Sequence, residues 1–465
     1  MLSYIEKIFF YLLIFCIPFQ TRKILFWNSN EFQSVSFYFT DLLIFSLFFF
    51  WFFRAFKTKK NYFNRLNAIW ARKHIIDLSL VLFSIISLVS LIRADNIFLG
   101  IYKWIKLLEF IGLFWYVKNR YKEDGVFLRE VKIPIIPLIF IFNAVFQSFI
   151  SIFQYAYQRS AGLKILGESF LGIDIYGVAK ITTENLKFIR AYGTFPHPNI
   201  LATFILICLV FLFFLYIKIP NWNKKFTPHY FCNKNGAGVT KRKIKKDIIP
   251  LNGIILAGIY PLLIFSLYLT FSRVVFLLWI LTSILFFIWF WRYDLYKRKV
   301  KELALFFIIY NLLFIILLFP ELSFRFRVSL QEQAVSLRIF YIQIASVMIS
   351  SFPILGIGLS QFPVKLSSFA DIRNSWMIQP VHNIYLLMAS EVGLLGLGFF
   401  LFFVICLMRN SLFKLKTNSQ SVFNFSYIIC VLCLLIIGLF DHFLITIQSG
   451  QLIFWVILGL SARNE

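Results

Sequence analysis

The chain has 465 residues, of which 60% are hydrophobic, 20% are aromatic and only 15% are charged. This composition excludes a soluble globular domain and indicates a protein that lies in a lipid bilayer. The net charge of +26 does not indicate a nucleic-acid partner, because the Lys and Arg side chains occur in short loops between apolar runs rather than on one solvated face.

About twelve apolar segments follow one another along the chain. A bilayer core of about 30 Å requires about 20 mostly apolar residues per helix. Segments of this kind centre near residues 10, 46, 84, 108, 145, 208, 260, 283, 311, 396, 432 and 452. The first run, Ile8 to Pro18, lacks a small-residue cleavage site, so we interpret it as a helix and not as a signal peptide. We therefore predict an all-α polytopic membrane protein in which residues 1–465 form one integral membrane domain.

The basic residues predict the orientation, because Lys and Arg are retained on the cytoplasmic side. With the N-terminus inside, every strongly basic loop falls on the inner side, including residues 218–247, and both termini are cytoplasmic. Two outside segments are then long, residues 157–196 and 321–381. In the second, apolar residues recur at helical spacing from Glu332 to Ser350, which predicts a helix along the interface. Asp441 and His442 predict a tight outside turn between the last two spans.

Two arginines are predicted at the outer ends of spans. Arg190 precedes the sixth span, and Arg273 lies at the junction of spans seven and eight. A guanidinium group grips phosphate at two points, and the low dielectric near the membrane strengthens each contact. Pro198 at the first helical position would add the amides of a helix start beside Arg190. The alternative for Arg190 is an ordinary loop charge, whereas a charge as deep as Arg273 is costly unless it is paired or functional.

The tenth span offers a candidate base. His382 and Asn383 open this span, and a neutral histidine can accept a proton from a sugar hydroxyl. The alternative for His382 is a helix cap. Glu391 lies nine residues further along the same predicted helix, where we expect it to pair with a cation or to be protonated. His197 and His442 have no partner that the sequence indicates.

Two lysines of the fourth span leave two interpretations open. Lys103 and Lys106 share a helix face with Phe110, so they either reach a lipid phosphate or extend to the interface. No carboxylate cluster has metal-ligand spacing, and only Cys232 among the six cysteines lies in a polar loop. Cys430 and Cys433 form a CxxC pair, but they lie within a predicted membrane helix without a second pair or a nearby histidine. We therefore predict no metal, no other cofactor and no disulfide framework.

Five fragments together resemble the O-antigen ligase and polymerase superfamily, in the same order and loop placement, over about residues 130–460. They are Arg190 to Asn199, Ser272-Arg273, Ser336-Leu337-Arg338, Pro353 with Gly356-Ile357-Gly358, and His382-Asn383 through Gly393-Leu394-Leu395-Gly396. The resemblance implies a membrane-embedded glycosyltransferase fold of the C type. It also implies that a glycan is moved from undecaprenyl pyrophosphate to an acceptor at the outer face of the cytoplasmic membrane.

The resemblance further implies roles for the matching residues. Arg190 and Arg273 would bind the pyrophosphate and stabilise charge on the leaving group, and His382 would activate or orient the acceptor hydroxyl. With the two lysines of span four, the predicted substrate contacts are Arg338, Asn199, Asn383, Lys103 and Lys106.

Three functions remain open. Ligation to a lipid A core or similar acceptor, as in lipopolysaccharide synthesis, is the first, and polysaccharide polymerisation is the second. A lipid-linked glycan transporter is the alternative that is not an enzyme. A transporter is expected to have charged or broken segments near mid-membrane in matching halves, whereas this chain concentrates its polar groups at one end.

Overall fold

The computed structural model describes residues 2–28, 30–57, 75–121, 124–128, 131–182, 187–219, 251–327, 333–369, 377–417 and 422–463. Most of the predicted basic loop 218–247, with Cys232, lies outside these ranges. The described residues are mainly helical, and their strands form three antiparallel hairpins. These strands are β1 Arg22–Phe26 with β2 Val35–Tyr38, β3 Gly125–Leu128 with β4 Val131–Pro134, and β5 Lys180–Thr182 with β6 Lys187–Ile189.

The helices cover most of the described chain. The first nine are α1 Leu2–Cys16, α2 Phe39–Lys57, α3 Ile75–Val89, α4 Ile97–Asn119, α5 Ile135–Tyr157, α6 Pro198–Lys218, α7 Tyr260–Leu269, α8 Arg273–Trp291 and α9 Asp294–Leu317. A short helix, Leu251–Ile254, and a π-helical turn, Ile255–Ile259, lead into α7. The remaining helices are α10 Phe319–Phe326, α11 Gln333–Ser351, α12 Phe362–Phe369, α13 Ile384–Glu391, α14 Gly393–Thr417, α15 Val422–Ile437, α16 Phe443–Thr446 and α17 Gln448–Ala462.

Helix α6 is the central element of the bundle. It is apolar on every side, as expected for a helix that other helices surround, and its apolar stretch is 100% buried. It packs against α5, α7, α8, α9, α15 and α17. Pro198 is its first residue, as the sequence predicted, because the fixed backbone angle of proline suits a helix start.

Six helices in the described ranges are long and apolar enough to cross a membrane. Each of the twelve predicted segment centres lies in a helix or its π-helical extension. Large apolar side chains such as Phe49, Phe142 and Ile316 are more than half exposed on the bundle surface, which suits contact with lipid. The chain is a multi-pass membrane protein, while twelve spans and a cytoplasmic N-terminus stay predictions.

The tenth predicted span is broken. Helix α13 ends at Glu391 and α14 begins at Gly393, whose φ of 74° lies in the left-handed region that favours glycine. A Cβ at Gly393 would overlap the carbonyl oxygen of Ile354. The loop that follows α11 enters the gap, because the amide of Leu394 donates to Pro353 at 2.8 Å. The tenth span, predicted as one segment that His382 opens and that centres near residue 396, is therefore two helices, and Glu391 is the last residue of the first.

A helix is present where the sequence predicted one after residue 331. Helix α11 covers Gln333–Ser351 and ends just before Pro353. Tyr341, Ala345 and Met348 form its buried face, and Val347 is exposed. Because α11 packs on α13, it brings Arg338 and Tyr341 towards the start of α13. The position of α11 at the membrane interface stays a prediction.

Candidate active site

Arg190 lies between β6 and α6, and its side chain is only 5% exposed. Its Nε donates to the carbonyl oxygen of Thr270 at 2.6 Å, and Nη2 donates to Oδ1 of Asn199 at 2.7 Å. These two bonds fix the guanidinium plane between the end of α7 and the first turn of α6. The interpretation of Arg190 as an ordinary loop charge was therefore wrong.

The turn between α7 and α8 has an unusual backbone. Phe271 has a φ of 49°, which is uncommon for a bulky residue and is typical of strained functional turns. Its ring packs near Tyr155 and Phe188, with centroids 6.1 and 5.8 Å away. This conformation directs the Thr270 carbonyl towards Arg190 and makes Arg273 the first residue of α8.

Asn199 links Arg190 to a buried carboxylate. Its Nδ2 donates to Oδ2 of Asp441 at 2.8 Å, and the backbone amide of His442 donates to Oδ1 at 2.8 Å. Burial alone would raise the pKa of Asp441, but three neighbouring imidazoles and the Asn199 bond lower it well below its usual range. The carboxylate is therefore ionised and holds the α15–α17 turn against the start of α6.

His382 lies between two rings. Its imidazole is 4.9 Å from the ring of His442 at 71° and stacks on Tyr341 at 5.8 Å. Its Nδ1 is buried without a hydrogen-bond partner in the described part of the chain. Asn383 caps α13, because its Oδ1 accepts from two first-turn amides at 2.9 and 3.0 Å. Asn383, and not His382, therefore caps α13, so the alternative interpretation of His382 as a helix cap was wrong.

The other two histidines of this cluster are also fixed. His442 Nδ1 is 2.7 Å from Oγ1 of Thr446, and His197 Nδ1 accepts from the Asn199 amide at 3.2 Å. Burial lowers the pKa of both imidazoles to about 3, so both are neutral near pH 7. No partner of these residues could be predicted from the sequence, because the fold brings them together from distant segments.

Two further arginines surround this site. Burial, and next the charge of Arg325, lower the pKa of Arg190 to about 9, and Arg338 acts in the same direction. Arg325 Nε also donates to the carbonyl of Phe271 at 3.4 Å. Among the described groups that act on Arg190, the guanidinium groups of Arg325 and Arg338 and the carboxylate of Asp441 leave a net positive charge, which favours an anion. Arg338 was predicted, whereas Arg325 was missed; its position on the short amphipathic helix α10 was the only signal.

Part of the site lies within a segment that matches a known protein family. A family model described as O-antigen ligase matches residues 259–401. Residues 259–401 are therefore similar to the O-antigen ligase family. The match includes Arg273, Arg338 and His382, and it confirms the resemblance that the sequence fragments indicated. No curated protein matches the chain.

Within the matched segment, Glu391 does not form a direct ion pair with any described residue. Its carboxylate accepts from the backbone amides of Ser360 at 2.9 Å and Phe362 at 3.1 Å. Since Phe362 is the first residue of α12, Glu391 ties the end of α13 to that helix start. Glu391 therefore holds the loop that leads to α12.

The two lysines predicted as substrate contacts differ. Lys106 is buried and donates to Asp41 at 2.5 Å and to Glu109 at 2.8 Å, so its charge is compensated within the fold. Lys103 has no hydrogen bond or ion pair to a described residue and lines a cavity. Neither lysine contacts the arginine cluster.

Metal ligation was not predicted for this site. Among the residues that the structure describes, no three His, Cys, Asp or Glu side chains are arranged to hold a metal ion. The three histidines of the cluster instead contact rings, hydroxyl groups or amides. Metal independence stays a prediction that needs a test in solution.

Proposed function

We propose that the protein transfers a glycan from undecaprenyl pyrophosphate to the hydroxyl of a separate acceptor, at the outer face of the cytoplasmic membrane. The observation that carries this proposal is the buried Arg190 guanidinium, which Asn199 connects to Asp441 beside His382. An anion site and an unengaged imidazole are the two groups that such a transfer requires.

The arginines bind the glycan donor. Arg190 and Arg273 bind the pyrophosphate, and Arg325 and Arg338 add positive charge around it. When the bond between the anomeric carbon and the pyrophosphate oxygen breaks, negative charge grows on that oxygen. Hydrogen-bond donors that are already oriented stabilise this negative charge without reorganisation. Undecaprenyl pyrophosphate then leaves with the electron pair of the broken bond.

His382 activates the hydroxyl group of the acceptor. Its imidazole takes the proton of the acceptor hydroxyl while the hydroxyl oxygen forms the new bond to the anomeric carbon. Tyr341 and His442 fix the ring from two sides. Burial lowers the pKa of His382, the Asp441 charge opposes this effect, and Arg338 adds to it. The imidazole is therefore neutral, as a base must be, near pH 7.

Polymerisation is the second candidate. Arg325 and Arg338 lie in the segment between α9 and α13, and both act electrostatically on Arg190. An arginine-rich site with contributions from two outer segments suits an enzyme whose donor and acceptor both carry pyrophosphate.

The deciding experiment uses purified full-length protein with a synthetic undecaprenyl-pyrophosphate glycan and a lipid A core acceptor. We expect one preassembled glycan on the acceptor, and no product with His382→Ala. A ladder of lengthening pyrophosphate-linked chains would instead establish polymerisation. Movement of the intact donor across sealed vesicles without any transfer would establish transport.

Metal dependence is tested in the same assay. We expect the rate to survive thorough treatment with EDTA, because charge on the leaving group is balanced by guanidinium groups. Loss of activity that only magnesium or manganese restores would contradict a metal-independent mechanism.

A further inference from the structure

His197 immediately precedes α6 and caps this helix. Its Nδ1 accepts a hydrogen bond from the backbone amide of Asn199 at 3.2 Å. A backbone amide can only donate, and a neutral imidazole carries one hydrogen, so the hydrogen of this ring is on the other nitrogen. Burial keeps the ring neutral near pH 7, because it lowers the pKa of His197 to about 3. His197 therefore presents a neutral Nε2–H group.

Within the described part of the chain, no residue accepts a hydrogen bond from this Nε2–H group. The two ring nitrogens face different sides of the imidazole, so Nε2 is directed away from the first turn of α6, which Nδ1 contacts. Ser, Thr, Asp and Asn are the residues that usually cap a helix, and each does so with a side-chain oxygen. A histidine at this position supplies the same cap and adds a second polar group, which is a donor.

The His197 ring lies among the charged groups of the candidate site. Asp441, Arg190 and His382 all act electrostatically on it. Asn199 fixes His197 and Arg190 together, because its amide bonds the imidazole and its side-chain oxygen accepts from Nη2 of Arg190 at 2.7 Å. An anion bound by the Arg190 guanidinium group therefore has a neutral donor beside it.

We infer that the Nε2–H group of His197 donates a hydrogen bond to a phosphate oxygen of the glycan donor. The inference rests on the proposed function and adds a residue to the groups that stabilise the leaving group. No proton is transferred, since the imidazole is neutral before and after the step. The hydrogen bond strengthens as negative charge grows on the pyrophosphate oxygen, so it favours the transition state over the bound substrate. His197 is in this way a catalytic residue that acts without a charge of its own.

Two substitutions separate this role from the helix cap. In His197→Asn the side-chain oxygen replaces Nδ1 as the cap, and no group replaces Nε2–H. In His197→Gln the amide nitrogen reaches the position of Nε2, and the cap is lost. We expect His197→Asn to keep the melting temperature of the purified full-length protein and to lower kcat for transfer by about 10²-fold. His197→Gln should melt at a lower temperature and keep most of the kcat.

The matched control is Asn96→Gln, which removes the cap of another helix. Asn96 Oδ1 accepts from the Leu99 amide at 3.0 Å and caps α4. This variant should melt at a lower temperature and transfer at the normal kcat. Pyrophosphate binding is measured separately, by isothermal titration calorimetry with farnesyl pyrophosphate. We expect about tenfold weaker binding by His197→Asn, as for one hydrogen bond to a charged group, and near-normal binding by His197→Gln.

Normal kcat and normal pyrophosphate affinity in His197→Asn would overturn the inference, because His197 would then be a cap alone. Equal losses of transfer and binding in His197→Asn and His197→Gln would overturn it as well. The wild-type protein separates the inference from the proposed function. Transfer by the wild type together with either of these results removes only the inference. Pyrophosphate binding that depends on His197, without any transfer by the wild type, overturns the proposed function and supports the pyrophosphate contact.

Discussion

The Arg190 guanidinium is oriented before any substrate binds. The Thr270 carbonyl and the Asn199 side chain use two of its donor edges, so its remaining N–H groups point in directions that the fold sets. Preorganisation of this kind is what makes donors effective towards charge that develops during a reaction. The carbonyl and the amide therefore position the guanidinium group, and under the proposed function its charge contacts the leaving group.

Replacing Arg190 or Arg273 with alanine should lower the transfer rate by about 10²- to 10³-fold, the usual effect of removing one preorganised donor. Arg190→Lys should recover little, because an ammonium group keeps the charge but not the planar fork that bonds Thr270 and Asn199. The rate with saturating donor and acceptor is the measurement.

The matched control is Arg159→Ala, at an exposed arginine in the segment between α5 and α6. It should transfer at the normal rate. Near-normal turnover in Arg190→Ala or in Arg273→Ala would remove that residue from the mechanism.

The loss of activity at acidic pH should report the protonation of His382. Burial lowers its pKa below the ordinary 6.5, so the neutral base persists, and activity is retained, as the pH falls through 6.5. Asp441 raises this pKa and Arg338 lowers it. Asp441→Asn should therefore move the acid midpoint of kcat/KM to lower pH, and Arg338→Gln should move it to higher pH. Shifts of both midpoints in the same direction would contradict His382 as the titrating base.

At the scale of single residues, sequence reasoning identified chemical types but not their partners. Arg190, Arg273 and His382 were predicted because a charged or basic residue at the end of an apolar run is unusual. Asp441 was read only as part of a turn, because its contact with Asn199 joins positions 242 residues apart. No local pattern encodes such a contact.

At the scale of elements, the break between α13 and α14 determines how the segments that form the site are held together. Glu391 holds the start of α12, and the gap at Gly393 accepts the loop after α11. The segments that carry His382 and Arg338 are thereby held together. Sequence reasoning found the helices, because long apolar runs are strong signals. It missed the break, because Gly-Leu-Leu-Gly within an apolar run also suits a continuous membrane helix.

Gly393→Ala should destabilise the protein by about 1–2 kcal/mol for the left-handed backbone alone, and more because of the overlap with Ile354. Thermal unfolding of the detergent-purified protein measures this. Gly398→Ala is the matched control, because nothing lies within 4 Å of a Cβ there and alanine favours a helix. Equal melting temperatures for the two variants would show that the break is not required.

At the scale of the whole molecule, the site combines the ends of α6, α8, α13 and α15 at one end of the bundle. The predicted order of spans agrees with this arrangement. Successive spans cross the membrane in alternate directions, so the starts of spans six, eight and ten and the end of span eleven fall on the same side. The charge rule identifies that side as the outside, and the orientation itself stays a prediction.

Cysteine labelling tests the orientation. Cys16, Cys208, Cys430 and Cys433 are buried, and Cys406 is half-buried within α14. Cys232, outside the described residues, should therefore be the one readily labelled cysteine, and only from the cytoplasmic side. An impermeant maleimide should modify it in inverted vesicles. Labelling in intact spheroplasts would reverse the orientation and place the site on the inner face.

The bond between Gln448 and Asp41 spans 407 positions of the chain, and Asn199 likewise depends on Asp441. During synthesis the ribosome makes Arg190 long before Asp441, so the growing chain holds the guanidinium without the carboxylate that orients Asn199. The arrangement is complete only after the last helices insert and α17 packs beside α4. A half-made chain in the membrane therefore lacks the complete site. Under the proposed function it would not consume lipid-linked glycan until assembly is finished.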